Sequence, residues 1–188
     1  MSRVLCAAAF VFAFALCADA WFGQQTALDL DGRAVDPLQT ASHRIVVLVF
    51  VRTDCAISSR YAPTIQRLSA AYADRAEFWL VYPDKGESPA AIRKYLQDYG
   101  YKLSALRDIE HTLVRRSEAQ ITPEAAVFDR SGRLRYHGRI DDWFYSLGRA
   151  RNTPSTHELE DAIQAALQGR APPVSTATAI GCYISDLE

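Results

Sequence analysis

Cysteine is scarce in this chain. Cys6, Cys17, Cys55 and Cys182 are the whole set of four among 188 residues, which excludes a scaffold held by many disulfides. A basic surplus is missing too: the formal net charge is −1. That balance gives no footprint for nucleic acid, and no run of like charge marks an interaction tail. The N-terminal apolar stretch, Val4 to Leu16, is too short to span a membrane. There are no repeats and no sign of a second domain, and the length fits one domain. Hydrophobic residues at 49% and charged residues at 23% are ordinary for a soluble globular protein.

The N-terminus reads as a targeting segment. Arg3 supplies a positive start, Val4 to Leu16 an apolar stretch, and Ala18-Asp19-Ala20 an A-x-A cleavage site. Residues 1–20 are thus expected to be a signal peptide, 21–170 the folded domain, and 171–188 a tail carrying Cys182. The expected localisation is periplasmic or secreted, with no stable membrane span after cleavage. An uncleaved anchor is the alternative, and bulky Leu16 argues against lipidation at Cys17. Cleavage removes Cys6 and Cys17. One pair then remains, Cys55 and Cys182, in a compartment where disulfides form and persist.

Ala27 to Val35 alternates around Asp31-Gly32 and predicts a small hairpin. Ile45 to Val51 is a continuous apolar run, as in a central strand covered on both faces. Tyr61, Ile65, Leu68 and Tyr72 share one helical stripe, and Glu77 to Tyr82 predicts a second buried strand. Ser88 and Pro89 open a helix with stripe Ile92, Tyr95, Leu96 and Tyr99, ended by Gly100. A short helix is expected near His111 to Ser117. Ala125 to Asp129 is a third core strand, turned by Ser131-Gly132 into a fourth, Leu134 to His137. Along that fourth strand, alternation puts Leu134 and Tyr136 on one face and Arg135 and His137 on the other. Ser155 and Glu158 form a capping box for a last helix, buried through Leu159, Ile163, Ala166 and Leu167 and stopped by Gly169. Strands alternating with helices imply an α/β fold with a mainly parallel sheet, helices on both faces and antiparallel strands added by the closing hairpin.

Cys55 is the candidate nucleophile, because the chain runs from a core strand straight into Cys55 and then into a helix. The thiolate attacks, and a helix N-terminus favours it. Polar Thr53, Asp54 and Ser58 argue against an apolar burial site for the sulfur. The Asp54 carboxylate opposes ionisation, with Arg52 and Arg60 placed to offset it.

This arrangement resembles the thioredoxin superfamily, within it the redoxin and peroxiredoxin-like branch. The likeness rests on Cys55 after the central strand, on Pro63 in the following helix, and on Thr122-Pro123 just before a core strand. Phe50 to Cys55, Gly138 to Asp142 and Gly181-Cys182-Tyr183-Ile184 are also similar to exported bacterial redoxin-domain proteins. The resemblance implies a three-layer sandwich with a central mixed sheet, a cis bond at Pro123, and the backbone of Thr122 presented toward the sulfur. It also implies that Thr122 and Pro123 frame an extended substrate. Two departures qualify it. Ser58 replaces the second cysteine of a Cys-x-x-Cys motif, so no disulfide closes inside it, although Ser58 can hydrogen-bond the thiolate. Thr53 lies one residue too close to Cys55 for the peroxiredoxin pattern, and Leu48 stands where its proline would be.

Thiol–disulfide exchange is the leading expectation: Cys55 attacks and Cys182 resolves, without a bound cofactor. The partners are then protein or small-molecule thiols and disulfides. Three alternatives stay open. One is a peroxidase whose substrates are peroxides. One is a binding module in which Cys55 and Cys182 form a structural clamp. The last is a copper carrier drawing on His111 or His137, against which Ser58 counts. The charges Arg139, Asp141 and Asp142 read either as a functional cluster or as a solvated loop with a local ion pair, and Trp143-Phe144-Tyr145 reads as packing.

Overall fold

The computed structural model describes residues 27–40, 44–185 and 187; the expected signal peptide and Trp21 lie outside the described residues. In chain order the elements begin with β1 (Ala27–Asp29), β2 (Ala34–Val35), α1 (Pro37–Thr40) and β3 (Ile45–Phe50). There follow α2 (Ala56–Arg60), α3 (Ala62–Ala71), β4 (Ala76–Tyr82), α4 (Pro89–Asp98), β5 (Ser104–Arg107) and α5 (Thr112–Ser117). The rest are β6 (Ile121–Thr122), β7 (Glu124–Phe128), β8 (Leu134–Gly138), β9 (Phe144–Ser146), β10 (Arg149–Ala150), α6 (Glu158–Leu167), β11 (Thr176–Ala177) and β12 (Cys182–Tyr183).

The main sheet has eight strands in the order β11-β8-β7-β3-β4-β5-β1-β2. Strand β3 is buried throughout, as its unbroken apolar run requires. Its side chains alternate between two cores. Ile45, Val47 and Val49 enter one with Ile65, Leu68, Ile92, Tyr95, Leu159 and Ile163 from α3, α4 and α6. Val46, Leu48 and Phe50 enter the other with Leu113 and Val114 of α5. Helices thus cover both faces of one mixed sheet, the α/β layering expected.

The sheet is less parallel than expected. Parallel pairing is confined to β3–β4, β4–β5 and β8–β11. Strand β7 runs antiparallel to both β3 and β8, and β1 runs antiparallel to both β2 and β5; tight hairpins reverse the chain between β7 and β8 and between β1 and β2. The hairpin β7–β8 also shifts register between Val127 and Phe128. This splits the expected common face: Tyr136 enters the first core and Leu134 packs against the second.

Helix α4 starts as its residues dictate, with Ser88 Oγ accepting from the Ala91 N–H at 3.1 Å and Pro89 in the first turn. Tyr99, expected on its buried stripe, lies just past the last helical residue and is exposed. The expected capping box of α6 does not form. His157 occupies the cap position without a side-chain bond. Ser155 instead bonds the buried Asp142 carboxylate through both its N–H and its hydroxyl, and Glu158 pairs with Arg139. Charge-assisted bonds of this kind outcompete a neutral cap.

Candidate active site

The β3 strand delivers the chain to a tight turn in which the Cys55 N–H meets the Arg52 carbonyl at 3.4 Å. Cys55 then occupies the N-cap position of α2 with extended backbone angles. The sulfur lies beside the first turn of α2, where the Ile57 and Ser58 N–H groups favour its charged form. Ser58, one turn on, is fully buried, and its Oγ accepts weakly from the Arg52 N–H at 3.5 Å. The Thr53 N–H donates to Oε1 of buried Glu87 at 2.5 Å, which ties the turn to the β4–α4 loop. Burial pushes the Glu87 carboxyl up, and the bond from Thr53 only partly offsets that.

The opposite wall is the β6–β7 junction. The Thr122-Pro123 peptide bond is cis. Thr122 is fully buried, and the Cys55 thiol donates to its carbonyl oxygen at 3.3 Å. Strand β6 also pairs antiparallel with β12, placing Cys182 directly across from Thr122. Thr122 Oγ1 donates to the Cys182 carbonyl at 3.3 Å, and the Ile184 N–H donates to the Gln120 carbonyl at 2.9 Å. Ile184 then buries its side chain in the second core. The outcome is a Cys182 Sγ to Cys55 Sγ contact of 3.0 Å between residues 127 apart in sequence.

The two sulfurs differ in exposure and in charge preference. Cys55 is 1% exposed, whereas Cys182 is partly exposed. The open sulfur expected at position 55 is therefore covered, and its polar neighbour Ser58 is buried with it. Burial pushes the Cys55 thiol up. Hydrogen bonds from the Cys182 thiol, from the Ser58 N–H and hydroxyl, and from the Ile57 N–H outweigh that and leave it below its ordinary value. Cys182 is pushed up to about 11 by burial and by its hydrogen bond and charge interaction with Cys55. In the reduced pair the Cys182 S–H donates to the Cys55 sulfur, and Cys55 is the thiol of the two that gives up its proton more readily. Arg52 spans Asp54 and Asp84 at 2.9 Å each. Arg60, expected to help the thiolate, lies instead over the rings of Trp143 and Phe144 at 5.3 and 5.5 Å.

Several supporting residues escaped the sequence reasoning. Glu124 is buried and accepts the N–H groups of Gln120 and Ile121 through Oε2 at 2.9 and 3.0 Å. Its Oε1 lies 3.2 Å from His137 Nδ1. Glu124 therefore shapes the segment that faces both sulfurs, and the available signal was a carboxylate at the head of an apolar strand. Gly181 is a second case. A Cβ there would lie 2.0 Å from the Thr122 oxygen, so only glycine lets β12 come this close. Gly138 plays the same part for β11: its φ is +143°, and a Cβ would meet the Ala177 oxygen at 2.2 Å. Asp141 and Asp142 are buried, which corrects the solvated-loop alternative. Tyr61, at the head of α3, donates its hydroxyl to Asp141 Oδ1 at 2.6 Å. His111 Nε2 lies 2.9 Å from the Pro83 carbonyl. Among the described residues, no group of three or more His, Cys, Asp or Glu side chains is arranged to hold a metal ion.

No family model matches the chain, and no curated protein matches it. Solved structures do. An uncharacterized conserved protein from Geobacillus kaustophilus superposes with a TM-score of 0.71 at 24% identity, covering 85% of this chain and 86% of that one. A secreted disulfide oxidoreductase of Mycobacterium tuberculosis gives 0.53 at 17% identity over 78% and 96% of the two chains. The exposed lipoprotein thioredoxin of Streptococcus pneumoniae gives 0.55 at 22% identity over 77% and 97%. Identities this low speak for architecture, and the mixed central sheet with helices on both faces agrees with them: the chain has a thioredoxin-like α/β fold.

Proposed function

We propose that this protein is an extracytoplasmic thiol–disulfide oxidoreductase whose redox pair is Cys55 and Cys182. The 3.0 Å contact between the two sulfurs carries this reading. A partner disulfide oxidises the pair: one S–S bond of the partner breaks, the Cys55–Cys182 bond forms, and two partner thiols leave with two protons and two electrons. The lowered Cys55 and raised Cys182 thiols suit this chemistry, since Cys55 gives up its proton more readily than Cys182. Ser58 and Ile57 N–H groups stabilise the Cys55 thiolate, Thr53 anchors its turn, and Thr122 with Pro123 forms the wall that holds Cys182 in register. Support for the class comes from the secreted disulfide oxidoreductase and the thioredoxin among the structural neighbours. Support for the compartment comes from the signal-like residues 1–20.

The test is a redox titration of the mature protein in glutathione or dithiothreitol buffers, read by mass spectrometry. The pair should interconvert at a potential above about −300 mV. Catalysed reduction of a protein disulfide should vanish in Cys55→Ser and in Cys182→Ser. A bond that forms but resists all reduction above that potential identifies a structural clamp instead.

A further inference from the structure

We infer that the outside partner meets Cys182, and that Cys55 is the internal sulfur of the exchange. This deepens the proposed function and rests on it. The ordering follows from three observations. Cys55 is 1% exposed with Cys182 Sγ in contact at 3.0 Å, so an external sulfur has no line of approach to it while β12 is in place. Cys182 is partly exposed, and Tyr183 beside it is 77% exposed, so the outer side of β12 faces solvent. The β6 edge beside Cys55 is already used: Thr122 pairs with Cys182, and the Gly181 backbone sits against the Thr122 carbonyl. A partner strand has no room to pair there. The accessible chemistry is therefore an exposed cysteine or a small thiol approaching Cys182 from solvent.

The steps balance in either direction. With the pair oxidised, a partner thiolate attacks Cys182 Sγ. The Cys55–Cys182 bond breaks, a partner–Cys182 mixed disulfide forms, and the electron pair leaves on Cys55. The Cys55 sulfur is a good leaving group because its thiolate is favoured by Ser58 and Ile57. A second partner thiolate then attacks the partner sulfur of the mixed disulfide. The partner disulfide forms, and Cys182 departs as a thiolate that takes a proton from solvent. With the pair reduced and Cys55 ionised, Cys182 attacks a partner disulfide while its proton passes along the S–H to S contact to the Cys55 thiolate, and one partner thiolate leaves. Cys55 then loses that proton to the departing thiolate and attacks Cys182 Sγ, expelling the second partner thiolate. The donor and acceptor are thiols and disulfides alone.

The experiment treats the oxidised full-length mature protein with reduced glutathione, quenches it rapidly in acid, and maps the first glutathione adduct by peptide mass. The adduct is expected on Cys182 over Cys55 by more than about tenfold. An adduct on Cys55 in excess overturns this inference and leaves the redox pair standing. No Cys55–Cys182 disulfide under any glutathione ratio overturns both. The single variants provide a second arm with glutathione disulfide as probe, each rate followed across pH to normalise for thiolate content. Cys55→Ser should take up one glutathione at Cys182, and folded Cys182→Ser should react slowly at Cys55. The reverse ranking, with both variants folded by circular dichroism, overturns the assignment.

Discussion

Replacing Gly181 with alanine should loosen the contact between Cys55 and Cys182 without touching either sulfur. The new methyl would lie 2.0 Å from the Thr122 oxygen, 2.7 Å from its carbonyl carbon and 3.0 Å from Ile121 Cγ2. Two of those are backbone atoms of a buried residue next to Pro123, so β12 has to retreat. Recovering ordinary contact takes more than about 1 Å. A retreat of that size breaks the Cys182–Thr122 pairing and the Thr122 Oγ1 bond to the Cys182 carbonyl. Two such bonds, at about 1 kcal/mol net each, amount to about 2 kcal/mol. The Cys55–Cys182 disulfide should then be about 30-fold less favoured. For a two-electron couple, the potential should rise by roughly 40 mV. A glutathione titration of Gly181→Ala against the parent measures this, with hydrogen exchange at Tyr183 and Ile184 reporting whether β12 has lifted. An unchanged potential would refute the argument that close approach at Gly181 sets the sulfur separation.

Other residues give separate tests. Glu124→Ala leaves the Gln120 and Ile121 N–H groups without their acceptor and should destabilise the fold by about 1–3 kcal/mol in urea denaturation, with faster exchange at β12. A loss below the error of the measurement would mean that water replaces the carboxylate fully. Tyr61→Phe removes the only hydroxyl bonded to buried Asp141 among the described contacts and should cost about 1–3 kcal/mol in the same assay. Asp142 predicts an acid limb. Burial pushes its carboxyl up, but Ser155, Thr156 and Arg151 hold it down at about 2, below the ordinary 3.8. Its contribution is complete above about pH 4 and disappears as pH falls through 2. Asp142→Asn should therefore be less stable at neutral pH and show a flatter decline between those values; an unchanged acid limb would contradict the assignment.

The strand that leads to Cys55 was legible because seven consecutive apolar residues have no use outside a core covered on both faces. The hairpin at Gly32, the cap at Ser88 and the cis bond before Pro123 were readable for equally local reasons or from family resemblance. Strand β5 was not, because Ser104-Ala105-Leu106-Arg107 is too short to show a period and has polar ends. Strands β11 and β12 are two-residue pieces whose existence depends on what they dock against. The pairing of Cys55 with Cys182 was among the expectations, but the covering of Cys55 was not, because it depends on β12 docking against β6 from 127 positions away. Asp142 and Glu158 were misjudged because their partners, Ser155 and Arg139, belong to neighbouring loops rather than to their own element.

The long reach between the two sulfurs also sets an order of events during biosynthesis. Position 55 emerges from the ribosome 127 residues ahead of position 182, an interval of roughly 6–25 s at ordinary elongation rates. Through that interval the earlier thiol has no β12 to meet, and any bond between the two sulfurs forms only after position 182 has emerged. A chain that stops short of position 182 lacks β12 and leaves the Cys55 sulfur without the cover that the folded protein gives it.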